Sequence, residues 1–213
     1  MVIGLRVHPF IITLGTMWML RGLAFVMSRA ESIIVPVSLT AVAKASFGLG
    51  AALYPVPLLA MVSVALLGSV FLVRTVAGRY IFAVGGNAEA SRFSGLPVAR
   101  ITLGVYMISG LCAGIAAFLG AAFYGSATSS DANGYELYVI ASAVVGGASL
   151  VGGRGSALSA MIGALLIVTI RQAIRTLHFD QNYEWIIIGG ALIAAVVIDQ
   201  GGTRLLTRMR EAR

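Results

Sequence analysis

The chain has 213 residues, of which 59% are hydrophobic and only 11% charged, at a mean hydropathy of +0.95. A soluble domain of this length needs far more charge to cover its surface, so the composition excludes a water-soluble fold and indicates an integral membrane protein. The net charge of +7 comes from fourteen Arg and one Lys against eight acids; its placement along the chain carries more information than its total, and no nucleic-acid partner is expected.

Six stretches are apolar enough to read as membrane spans: 9–27, 55–73, 101–124, 137–151, 156–174 and 185–199. The expected fold is all-α, a polytopic transmembrane helix bundle of about six spans forming one transmembrane domain over residues 1–213. The fourth and sixth stretches have 15 residues each, short of the roughly 20 that cross a hydrocarbon core, so they borrow flanking residues or lie partly within protein. No cleavable signal is evident at the start.

Arg21 is the one formal charge well inside a span. Intramembrane charge is costly and marks a functional position by default. Glycines at 15 and 22 also let that span tilt, so that the guanidinium reaches an acid such as Glu31. A structural pairing and a role lining a polar pathway both stay open. Residues 28–54 follow as the longest outer loop, where SIIVPVSLTAVA is too short to span, is split by Pro36, and reads as a surface-lying segment.

Residues 74–100 are the polar exception, a loop containing GRYIFAVGGNAEASRFSGLPVAR. Its glycines suggest a phosphate cradle, but VGGNAEA lacks the lysine of a P-loop and the GxGxxG spacing of a dinucleotide site. Asn87 is a good N-cap for a short helix over 88–94, with Glu89 and Arg92 at i,i+3 spacing. Gly95 supplies a left-handed position, Leu96 a closing apolar contact and Pro97 a stop.

Later spans are rich in small residues. GLCAG at 110–114, and Gly190 with Ala194, allow close helix approach and a compact bundle. Cys112 has no partner for a disulfide, and His8 and His178 stand far apart at segment ends. No Ser–His–acid set, paired acids or HExxH motif occurs. The chain is therefore expected to be neither an enzyme nor a holder of metal or cofactor.

Orientation follows from the arginines. With both ends and the 74–100 loop inside, the cytoplasmic side collects Arg6, Arg74, Arg79, Arg92, Arg100, Arg154, Arg204, Arg208, Arg210 and Arg213, which are ten of the fifteen basic residues. The basic tail 200–213 is part of that set. The positive-inside bias then places both termini in the cytoplasm, consistent with six spans. Tyr54, Tyr124, Tyr135, Tyr138, Tyr183 and Trp185 fall near the opposite boundary, where amphipathic rings prefer to sit. Arg171 and Arg175 violate the bias locally, with Asp180 and Glu184 near enough in sequence to neutralise them.

The 78–100 stretch resembles the cytoplasmic loop of permease subunits of binding-protein-dependent ABC importers, in the ribose and branched-chain amino acid group. That group's pattern is roughly G-R-x-x-x-A-x-G-x-N-x-x-A-A-x-x-S-G-I. Gly78, Arg79, Ala83, Gly85, Asn87, Ala90, Ser94 and Gly95 match it, while Ser91 replaces an alanine and Leu96 the isoleucine. HPFIITLGTMWMLRGLAFVMS at 8–28 is similar to a segment of the sugar branch and includes Arg21. AVVGGASLVGGRGSALSAMIGALLI at 143–167 is similar to the group's glycine-rich hairpin and following helix.

The resemblance implies a bacterial inner-membrane permease that carries a sugar or related polyol between two permease subunits. A cytoplasmic ATPase would power it and a periplasmic or extracellular binding protein would load it. Asn87, Glu89, Arg92 and Phe93 would contact the ATPase, with Phe93 as an apolar plug, and the 28–54 and 125–136 loops would receive the binding protein. Members of the group usually carry further spans before the segment at 8–28; by that standard the chain lacks them, or a second chain supplies them. An ion-gradient-driven secondary transporter and a non-transporting membrane scaffold are the alternatives. The first favours acids or histidines at mid-membrane, and none lies deep within a span.

Overall fold

The structure, a computed structural model, describes residues 9–45 and 55–178, together with residues 183, 185–187, 189–191, 193 and 197. In chain order the elements are α1 (Pro9–Ser28), β1 (Ile33–Ile34), α2 (Val37–Ala43), α3 (Pro55–Arg74), α4 (Val76–Gly86) and α5 (Ala88–Phe93). There follow α6 (Val98–Tyr124), β2 (Ser126–Ala127), α7 (Tyr135–Val145) and α8 (Ala157–Thr176). Apart from one two-residue strand pair the described fold is helical.

Among the described residues four helices are long and apolar enough to cross a membrane: α1 over Ile11–Ser28, α3, α6 and α8. The expected fourth span differs. Its helix is α7, with 11 residues and a rise of about 16 Å, roughly half a hydrocarbon core. The glycine-rich sequence beyond Val145 stops it: Gly147, Gly152, Gly153 and Gly155 all have positive φ, so residues 147–155 form a turn instead of a continued helix. Of the expected span 185–199, residues 188, 192, 194–196, 198 and 199 lie outside the described residues.

The chain divides into two compact units. The first comprises Met1–Val64 and Ala99–Asn133, the second Ala65–Val98 and Gly134–Arg213.

In the first unit, α1 ends in a Schellman turn built without glycine. Arg29 and Ala30 adopt φ of 52° and 60°, Ala30 N–H donates to Phe25 O at 3.1 Å, and Arg29 N–H to Val26 O at 3.4 Å. The segment expected to lie on the surface then splits at Pro36. Before it, Ile33 and Ile34 pair antiparallel with Ala127 and Ser126. After it, α2 buries Ala43. Val35 N–H donates to Gly125 O at 3.0 Å, Ser28 and Ser129 hydroxyls meet at 2.7 Å, and Lys44 lies 5.7 Å over the Phe123 ring. The loop after α1 and the loop after α6 are thus knitted into one piece. The groove between α3 and α6, about 510 Å³ and lined by side chains such as Leu58, Met61, Leu119 and Phe123, is apolar.

In the second unit α7 and α8 pack backbone to backbone. A Cβ on Gly163 would meet the Ser142 carbonyl and lie 2.7 Å from Gly146 N; one on Gly146 would strike the Ser159 carbonyl and lie 2.9 Å from Ala160 Cα. Small residues permit this approach, and Tyr138, Ala141 and Ile167 form the buried cluster beside it. Among the described residues, Gly110, Gly114 and Gly190 have nothing within 4 Å of an added Cβ.

Candidate functional site: the capped helix between α3 and α6

A single extended residue, Thr75 (φ −98°, ψ 155°), separates α3 from α4. Its hydroxyl donates to Phe71 O at 2.6 Å, completing α3, and accepts from Gly78 N–H at 3.0 Å, capping α4. The reversal is so tight that Gly78 is buried against the Leu72 carbonyl with no room for a Cβ. Much of the stretch expected to be polar loop is therefore the 11-residue α4. The signal for it was present: a Thr–x–x–Gly start followed by the apolar positions Tyr80, Ile81, Phe82 and Val84.

Asn87 ends α4 and begins α5. Its Oδ1 accepts from Ala90 N–H at 2.9 Å, a cap that contributes about 1 kcal/mol. At the other end Gly95 (φ 81°) donates N–H to Arg92 O and Leu96 N–H to Ser91 O, both at 3.0 Å. This is a complete Schellman motif, so both ends of a six-residue helix are fixed by local chemistry. Such a helix is far too short to persist on propensity alone.

Ser91 is buried, whereas Glu89, Arg92 and Phe93 are exposed, Phe93 at 85%. The inward side of α5 is thus a small hydroxyl and its free surface a large ring beside two opposite charges. Burying a ring of this size is worth about 1.5–3 kcal/mol, which the chain leaves unused at this position. Asn87, Glu89, Arg92 and Phe93 accordingly stand together on one element, with Asn87 shaping it and the other three presenting a surface.

The backbone of the glycine turn after α7 is pressed against the start of this element. A Cβ on Gly85 would sit 2.8 Å from Gly153 N, one on Gly153 would sit 2.7 Å from Gly86 Cα, and one on Gly152 would strike the Gly85 carbonyl. No contact between the two glycine pairs was expected from the sequence, although their doublets at 85–86 and 152–153 are visible in it. The glycines once suggestive of phosphate serve close backbone approach instead.

Arg21 belongs to the first unit. Its Nη1 donates to Asn133 Oδ1 at 2.6 Å, so the partner is an amide in the loop after α6 and not Glu31. Arg171 has ring partners that were not foreseen: its guanidinium carbon lies 4.5 Å from the Tyr138 centroid and 5.3 Å from that of Tyr135. Trp185 extends the cluster, 5.5 Å from Tyr138. The expected neutralisers Asp180 and Glu184 lie outside the described residues. In the loop carrying Asn133, Asp131 accepts from the Thr128 hydroxyl and from Thr128 N–H, each at 2.7 Å. These bonds, the hydroxyl's first, hold its carboxyl below the usual value.

Among the described residues no cluster of His, Cys, Asp or Glu could hold a metal ion. Four described helices long and apolar enough to cross a membrane, with a capped six-residue helix between two of them in the chain, fit a multi-pass membrane protein. Residues 1–196 match the family described as branched-chain amino acid transport system / permease component, and the chain belongs to that family.

Among curated proteins, the D-allose transport system permease protein AlsC of Escherichia coli strain K12 is 38% identical over 193 residues, covering 91% of this chain and 58% of its own length. The ribose import permease protein RbsC of the same strain is 36% identical over 195 residues (91% and 61%). The L-arabinose transport system permease protein AraH is 34% identical over 198 residues (92% and 59%). The chain spans about three-fifths of the length of these relatives. No solved structure matches.

Proposed function

We propose that this chain is a membrane-spanning part of an ABC importer for a sugar or related polyol, driven by a separate cytoplasmic ATPase that docks on α5. The sugar names of the relatives support the substrate class. One observation carries the coupling role: α5 is fixed at both ends yet leaves Phe93, Glu89 and Arg92 uncovered between two membrane-crossing helices. A rigid short helix transmits a push as a rigid-body displacement of the elements joined to it. In this reading both termini are cytoplasmic, six spans are completed in the membrane, and the solute passes between two permease subunits. A binding protein delivers it to the joined loops after α1 and α6. Arg21, bonded to Asn133, holds α1 to that outer piece, which favours a structural role over a pathway one.

The four long helices contain no Asp, Glu or His, so an ion-coupled carrier would lack its usual titrating group there. Co-purification of the chain with its ATPase subunit tests the proposal. Charge reversal at both positions, Glu89→Arg with Arg92→Glu, is expected to weaken the association by about tenfold or more. Wild-type association after both reversals would sink the coupling role.

A further inference from the structure

The turn at 147–155 is as elaborately built as α5 and shares its surroundings. It is closed by Ser149 N–H donating to Arg154 O and Gly152 N–H to Ser149 O, both at 3.1 Å. Its tip leaves Val151 75% and Leu150 57% exposed, and Arg154 is exposed beside them. Because Gly152 and Gly153 touch Gly85 and Gly86, the tip lies against the residues from which α5 starts. Phe93 is only the length of α5 away, about 9 Å of helical rise.

We propose that the Leu150–Val151–Arg154 tip is a second docking element for the ATPase, forming with α5 one contact surface. The inference rests on the coupling role of α5 and extends it. Three uncovered apolar side chains, Phe93, Leu150 and Val151, supply anchors of the kind that dominate interfaces. Beside them Arg92 and Arg154 are exposed against Glu89, so the surface is net cationic. Its partner is therefore a cleft with an apolar floor and an acidic rim. The glycine contact gives the arrangement its rigidity: with no side chain between the two backbones, α5 and the tip present themselves at a fixed spacing.

The experiment uses the full chain with its ATPase subunit in lipid nanodiscs. Arg154→Glu and Val151→Asp, both at exposed positions, are each expected to lower ATPase association by about tenfold, as an interface anchor does. The Glu89 and Arg92 reversals are measured in parallel. If those weaken binding while the turn variants bind like wild type, the tip lies outside the interface and the inference fails with the coupling role intact. If neither set weakens binding, both fail. A fluorophore on Val151→Cys, in a Cys112→Ser background, separates protein from lipid. Shielding from a water-soluble quencher on ATPase binding supports docking. Quenching by a lipid-borne nitroxide, unchanged by the ATPase, overturns it.

Discussion

Asp131 shows how a single side chain shapes the loop after α6. In the folded chain its two oxygens take the hydroxyl and backbone N–H of Thr128, and its pKa falls below the ordinary 3.8. A depressed carboxylate contributes stability that is fully present above the unfolded value and is lost as the pH drops through the folded one. Hydrogen-exchange protection across 126–134 is therefore expected to hold down to about pH 4 and fall on further acidification. Asp131→Ala should show low protection already at neutral pH and no acid step; an unaltered acid step in that variant would assign it to another group. The Asp–Thr pairing is not evident in the string SATSSDANG, where four hydroxyl residues compete for one carboxylate. Arg21 is comparable. Its buried-charge problem is readable from the span around it, but its solution, an amide 112 positions later, depends on tertiary placement.

At the level of elements, α5 is the most readable part of the chain because every determinant is local: Asn87 at the start, Gly95, Leu96 and Pro97 at the end. α4 is less so, since three glycines and a mixed polarity pattern argue for a loop until Thr75 is seen to cap it. The contact between α4 and the 147–155 turn joins residues almost 70 positions apart, and nothing within either doublet announces the other. That contact makes a sharp prediction. Gly153→Ala forces a Cβ into the Gly86 backbone at a positive φ and is expected to destabilise the chain by about 1–3 kcal/mol. Gly104→Ala, in open space on a helix, is expected to be neutral or stabilising by up to about 1 kcal/mol. Thermal unfolding in detergent measures both, and equal midpoints for the two variants would refute the distinction.

The whole molecule exposes apolar side chains along α1, α3, α6 and α8, as a chain solvated by lipid or by partner helices does. The hydropathy pattern locates these four helices well because length and composition alone decide them. It overextends α7, because a run of Val, Ala and Gly has the same hydropathy whether it continues as helix or turns back. The orientation proposed from charge bias has α5 inside and the 126–134 loop outside. In a Cys112→Ser background, Phe93→Cys should react with an impermeant maleimide only from the cytoplasmic face, and Asp131→Cys only from the opposite face. The reverse pattern would invert the topology.

The glycine-on-glycine contact also limits how this chain can vary. Where a large side chain meets a large one, a growth on one side can be offset by a shrinkage on the other. At Gly85, Gly152 and Gly153 there is no side chain to give up, and an added Cβ runs into backbone. A side chain gained there has no compensating substitution within the contact, only a retreat of one strand of chain from the other. Random mutagenesis under selection for a folded, membrane-inserted chain should therefore leave these three positions untouched while Gly86 accepts alanine, and suppressors of a change at any of the three should map elsewhere in the protein.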